Sequence, residues 1–117
     1  MSRKEKHFVL RMKIWIEDEQ GHVVFGEGRY RILEAIDRMG SLQAAAKELK
    51  MSYRALWGKI KATEIRTGKP LVVREGRGSK LTPFAKKLMN RYQELQTSID
   101  KESETAYSTI AAECFEK

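Results

Sequence analysis

The chain has 117 residues, of which 41% are hydrophobic and 33% charged, with a net charge of +7 and a single cysteine, Cys114. That length holds one ordinary domain with a real core, not two full ones. No apolar run approaches the ~20 residues of a membrane span, Phe8-Val9-Leu10 is too short for a signal-peptide apolar region, and one cysteine excludes an intrachain disulfide and a cysteine-rich zinc site.

A cytoplasmic protein with no membrane partner is therefore expected. Phe8 to Ile16 alternates loosely, with Phe8, Leu10, Met12, Ile14 and Ile16 on one side, which predicts a strand. Val23-Val24-Phe25 predicts a second. Between them Glu17 to His22 supplies turn chemistry, with Gly21 able to take positive φ, so a β-hairpin is expected. Gly26 and Gly28 break the strand. Tyr30, Ile32, Leu33, Ile36 and Met39 then recur at helical spacing, and Gly40 stands where a C-terminal cap belongs.

Ser41 predicts the N-cap of a helix over 42–50, with Leu42, Ala45, Ala46 and Leu49 on one face. Ser52 predicts the N-cap of the next, running through Leu56, Ile60 and Ile65 to about Thr67, with Gly68 beyond its end. Leu71-Val72-Val73 is a strand run, Gly76-Arg77-Gly78 a tight turn, and Lys80-Leu81-Thr82 the return. Thr82-Pro83 pairs an N-cap with proline at the first helical position. The helix that follows carries Phe84, Leu88, Tyr92, Leu95 and Ile99 in a heptad seam that predicts a dimer helix. Glu102 and Ser103 interrupt it; Ala106, Tyr107, Ile110, Ala111, Cys114 and Phe115 resume it.

The positive charge is concentrated in the middle of the chain. From Ser41 to Thr82 ten cations face three anions, an excess of seven, whereas the first forty residues carry +1 and the last thirty-five −1. That is the footprint of a polyanion-binding surface. Two capped helices with a short break at Lys50-Met51 match the helix-turn-helix pattern. Ala46 falls where the helices cross, and Leu49, Met51, Leu56 and Ile60 close a small core. The outward positions of the second helix are then Ser52, Tyr53, Arg54, Trp57, Gly58 and Lys61. A helix laid in a major groove would use them, Arg54 reaching guanine and Ser52 or Tyr53 a base edge or phosphate. Gly58 would allow close approach, or would relieve crowding against another element. Trp57 fits the groove face or a packing role against the hairpin or first helix. The strand-turn-strand after this helix forms a wing whose tip holds Arg74, Arg77 and Lys80, suited to a phosphate backbone or minor groove.

The stretch "MGSLQAAAKELKMSYRALWGKIKATE", followed by "GKPLVV", "GRG" and "LTPFAKKLM", resembles the winged helix-turn-helix shared by LysR-type regulators and the molybdate-responsive ModE family. Gly-Ser-x-x-x-Ala-Ala followed by Met-Ser-Tyr-x-x-x-Trp is more similar to the ModE side, and the resemblance extends from about Lys13 to Tyr92. It implies a mainly α fold with small β elements: an N-terminal β-hairpin and winged helix-turn-helix over 1–82, and a C-terminal helical dimerisation segment over 83–117. It also implies a homodimeric transcriptional regulator bound to double-stranded DNA, read through Ser52 to Lys61 and the wing around Arg77; the heptad seam offers Leu88, Tyr92, Leu95 and Ile99 to pair two chains. Full-length ModE proteins continue into oxyanion-binding domains for which this sequence has no room, so that effector is not carried over, and a separate sensor protein is a possible partner. Lys50 replaces the glycine common in the turn, at some cost in strain.

Catalysis is not expected. His7 and His22 lie at unequal distances from the hairpin turn and have no cysteine near them, so neither a metal site nor a cofactor is implied. Glu17, Asp18 and Glu19 suit solvation, and Cys114 on an apolar helix face suits burial. The competing reading is a winged-helix module that binds protein or RNA without reading a DNA sequence.

Overall fold

Local chemistry fixes where each element begins and ends. The computed structural model describes residues 8–115, so His7 lies outside the described residues. They fall into two units, Ile14–Tyr92 and residues 8–13 with 93–115. The first contains a hairpin of β1 (Trp15–Glu17) and β2 (Val23–Gly26), helices α1 (Glu27–Met39), α2 (Leu42–Glu48) and α3 (Tyr53–Thr67), a second hairpin of β3 (Val72–Glu75) and β4 (Gly78–Leu81), and the start of α4 (Pro83–Ile110). Among the described residues no helix is long and apolar enough to cross a membrane.

The caps stand where their chemistry requires. Gly40 and Gly68 end α1 and α3 in the left-handed conformation, with φ of 73° and 75°, where a Cβ would be strained. The hydroxyls of Ser41, Ser52 and Thr82 accept the amides of Ala44, Ala55 and Ala85 at 3.2, 3.0 and 3.1 Å. Each satisfies a donor that the first helical turn leaves unpaired. Between α2 and α3 the chain reverses at Lys50, whose φ of 57° is the only positive value at a non-glycine among the described residues. The reversal ends α2 at Glu48, two residues before the predicted end.

The predicted strand from Phe8 to Ile16 is corrected: pairing begins only at Trp15, opposite Gly26. A strand needs a partner for its backbone groups. β2 is four residues long and its last residue already caps α1, so among the described residues no strand pairs with positions before Trp15. Gly28 lies inside the first turn of α1 rather than in a strand break.

Phe25, Ile32, Leu33, Ile36, Ala45, Ala46, Leu56, Ile60, Leu71, Leu81, Ala85 and Tyr92 form one core. Ala45 and Ala46 are buried at the α1–α2–α3 junction, and Leu49 and Met51 pack against it, as the small-residue pattern predicts. Ile65 does not join this core and is 77% exposed. It stands five residues past Ile60, which turns it away from the face that Leu56 and Ile60 bury, and the buried position is Thr63 instead. Its hydroxyl donates to the Val24 carbonyl at 2.6 Å and accepts from Arg29 Nε at 3.0 Å, so a buried polar group ties α1, α3 and β2 together without being left unpaired.

Tyr92 is a second correction. The heptad pattern places it in an interchain seam, but it is 3% exposed, edge-on to Phe25 at 5.3 Å, and donates to the Ile14 carbonyl at 3.0 Å. Its ring is used within its own chain. In the other unit, Tyr107 donates to the Phe8 carbonyl at 3.1 Å and Phe8 packs edge-on against Phe115. Cys114, expected in a buried position, is exposed; it lies in the π-helical turn over Ala111–Phe115, none of whose residues is buried.

Candidate nucleic-acid interface

Helix α3 buries Leu56, Ile60 and Thr63 and turns the opposite face outward. Tyr53 is 46% and Trp57 37% exposed, and neither belongs to the hydrophobic core. Arg54, Gly58 and Lys61 follow one another at intervals of four and three residues, so they lie along one exposed stripe. A Cβ built on Gly58 would meet nothing within 4 Å, which removes crowding as a reason for glycine there. Ser52 is exposed but its hydroxyl oxygen is committed to the Ala55 amide, leaving its proton free to donate.

The wing is fixed at its base and open at its tip. Strands β3 and β4 pair from Val72 with Leu81 to Glu75 with Gly78, leaving a two-residue turn of Gly76 and Arg77. Gly76 has φ 59° and Arg77 does not have positive φ, the pattern of a type II′ hairpin. At the base the Glu64 carboxylate accepts the Leu71 amide at 2.7 Å and the Val72 amide at 3.4 Å. On the other strand the Ser79 amide donates to the Gly40 carbonyl at 2.9 Å. A Cβ at Gly78 would collide with that same carbonyl. Glycine at 78 is thus required by the close approach of two backbones.

These anchors bring four of the predicted contact residues together. Tyr53 and Trp57 of α3 and Arg74 and Arg77 of the wing line one open cleft of about 490 Å³, with Ser41, Leu42 and Gln43 at the start of α2 forming its third side. Arg54, Gly58 and Lys61 lie along α3 beyond it. Among the described residues Arg54, Arg74 and Arg77 make no side-chain hydrogen bond or ion pair. Lys61 is partly engaged, 3.3 Å from Glu64 and 5.1 Å from the centre of the Trp57 ring, and Lys80 is 3.5 Å from Glu75. The Lys80–Glu75 pair is exposed on both sides, contributes about 0–1 kcal/mol and exchanges readily for a phosphate. Of the proposed pairing residues, Leu88 is half-buried against the core, Leu95 is exposed and Ile99 half-exposed. Sequence reasoning missed Glu64 as the residue that holds the wing. The one available signal was an acid standing among ten cations, four residues before the Gly68 reversal.

The hairpin, three-helix core and wing define a winged helix-turn-helix domain. The chain belongs to the bacterial regulatory helix-turn-helix family of the lysR type, whose model matches residues 28–86. It is similar to the molybdenum transport protein ModE of Azotobacter vinelandii, 34% identical over 106 residues that cover 83% of this chain and 38% of that protein. It is also similar to the transcriptional regulator ModE of Haemophilus influenzae, 34% identical over 73 residues, 58% of this chain and 29% of that protein. The chain therefore spans less than two-fifths of the length of these curated relatives. Among solved structures, the CbnR DNA-binding domain in complex with DNA aligns with a TM-score of 0.56 and 20% identity over 71% of this chain and 95% of that one. The BenM DNA-binding domain bound to benA site 1 DNA aligns with a TM-score of 0.54 and 21% identity over 72% and 94%. At these identities the likeness is one of fold.

Proposed function

We propose that the protein is a sequence-specific, DNA-binding transcriptional regulator that acts in the cytoplasm as a homodimer and carries out no catalysis. The observation that carries this reading is the cleft in which exposed aromatics of α3 face unpaired arginines of the wing, inside the segment that holds all of the excess positive charge. An α-helix of this width fits a major groove, where Arg54 would read a guanine and Tyr53 or Ser52 a base edge or phosphate. Arg74, Arg77 and Lys80 would follow the backbone and supply sequence-independent affinity. Family membership supports the same reading.

Pairing of two chains through Leu95 and Ile99 of α4, with Leu88 at the margin, would set the spacing of two recognition helices on a pseudo-palindromic site. Sedimentation at micromolar concentration should give a dimer; a monomer would remove this part. A separate sensor protein docking on the same helix is compatible with it.

Fluorescence anisotropy of the protein with its own upstream duplex and with a scrambled duplex, across a salt series, tests the whole. Tighter binding to the upstream duplex at physiological salt is expected. Equal and steeply salt-dependent binding to both would leave a nonspecific polyanion binder, and no binding to either would favour a protein-interaction module.

A further inference from the structure

Away from the cleft, a half-buried charged group has no charged partner among the described residues. Arg29 rises from the first turn of α1, is half-buried, and uses its Nε to donate to Thr63. Its two terminal nitrogens have no hydrogen bond or carboxylate among the described residues. The charge that bears on it is another arginine: burial first, then the charge of Arg66, holds the Arg29 guanidinium below the usual arginine range. Arg66, from the last turn of α3, donates one nitrogen to the Val23 carbonyl at 2.5 Å and lies 4.0 Å from the Asp18 carboxylate. That carboxylate is already shared with the Gln20 and His22 amides and the His22 ring.

Both guanidinium groups are tied to the same stretch of β2, Arg29 through Thr63 to the Val24 carbonyl and Arg66 directly to the Val23 carbonyl, and they share a single distant and divided counter-charge. A partly buried cation without a partner is unfavourable, and guanidinium forks match the oxygen spacing of phosphate-type anions. Arg66 stands nine residues after Trp57, about two and a half turns along α3, hence on the flank opposite the wing cleft. DNA lying in that cleft would not reach it.

We propose that Arg29 and Arg66 form a binding site for a small tetrahedral oxyanion of the phosphate or sulfate type, which bridges the start of α1 to the end of α3 beside the β1–β2 hairpin. Such a ligand would accept from the free terminal nitrogens of Arg29 and from the guanidinium edge of Arg66. Asp18 sets its limit, since a second anion must settle on the side of Arg66 away from that carboxylate.

The test uses inorganic phosphate. Melting temperature is followed in sodium phosphate and in sodium chloride at matched ionic strength, for the wild type, R29Q, R66Q and R77Q. Phosphate should raise the melting temperature beyond chloride, the increment should vanish in R29Q and R66Q, and R77Q, which removes a cation from the wing, should keep it. Phosphate affinity should fall about tenfold or more in R29Q, as expected for one charge-assisted bond. In parallel, the Arg29 Nε–H resonance of labelled wild-type protein should move saturably on phosphate addition, and this reading stands alone if R29Q does not fold. Equal melting in the two salts, an increment that survives in R29Q, or an Arg29 resonance that does not move would each overturn the site.

Discussion

Replacing Gly58 with alanine separates the needs of the fold from those of the interface. Gly58 is the sixth of fifteen residues in α3, exposed, and a Cβ there has open space on every side. At an interior helix position alanine is favoured over glycine by about 0.8–1 kcal/mol. For a chain of this size that corresponds to a rise in Tm of roughly 4 °C. The same methyl would stand between Arg54 and Lys61, at the point where the backbone of α3 could come nearest to base edges. If the groove is in contact there, the methyl acts as overpacking, about 1–3 kcal/mol, or roughly five- to 150-fold in Kd. No charge changes, so the salt slope should stay the same. Thermal melting of the free protein and anisotropy with the preferred duplex give the two readings. A higher Tm with unchanged DNA affinity would mean that the stripe of Arg54, Gly58 and Lys61 does not face the groove. A lower Tm would refute the claim that the position is sterically free.

Other perturbations have equally definite outcomes. Arg54→Ala should relax preference at one base position at about 1–3 kcal/mol, whereas Arg77→Ala should weaken all duplexes alike and lower the salt slope by about one, both read by anisotropy on a panel of single-base variants. Lys50→Gly should stabilise the protein by about 1 kcal/mol by relieving the left-handed strain at φ 57°, and an unchanged denaturation midpoint would show that the turn carries no such strain. Thr63→Val keeps shape but leaves the Val24 carbonyl and Arg29 Nε without their partner, so urea denaturation should register a loss of about 1–3 kcal/mol. Hydrogen bonds from the His22 amide, with further help from the Gln20 amide and His22 charge, hold the Asp18 carboxyl below its ordinary value of 3.8. A lowered folded pKa stabilises the turn above that value and releases it as pH falls through the lower one. The amide resonances of Gln20 and His22 should therefore stay native-like to below pH 3.8 and change together.

The parts of this fold that were legible in the sequence are those decided within a few residues. Ser41, Ser52 and Thr82-Pro83 announce helix starts, and Gly40 and Gly68 announce ends, because a cap is a bond between near neighbours. The wing was legible for the same reason, since Gly76-Arg77 joins two short β-rich runs. What was not legible depends on a distant partner. Alternation from Phe8 describes a chain able to form a strand, but whether anything lies opposite is decided by where Gly26 opens α1. The seam containing Tyr92 shows that one face of α4 is apolar and not which chain covers it. In the candidate site, the charge pattern pointed to a face of α3 that is exposed in the fold, while Glu64 and Thr63, the polar residues that fix the wing and the hairpin, look like ordinary surface residues until their backbone partners are placed.

The bond from the Ser79 amide to the Gly40 carbonyl makes one residue common to three elements: the Gly40 amide closes α1 on the Ile36 carbonyl, its carbonyl holds the second strand of the wing, and the chain leads directly into the cap of α2. Opening the wing base would leave that carbonyl without its donor, so the Ser79 amide should exchange with solvent more slowly than the amides at the wing tip, although all belong to one surface hairpin. Length changes should accordingly be tolerated very unevenly. Residues added between Glu75 and Gly78 would extend the tip and change its reach, while one residue added between Gly78 and Leu81 would shift the register and detach the wing from the helices that aim it.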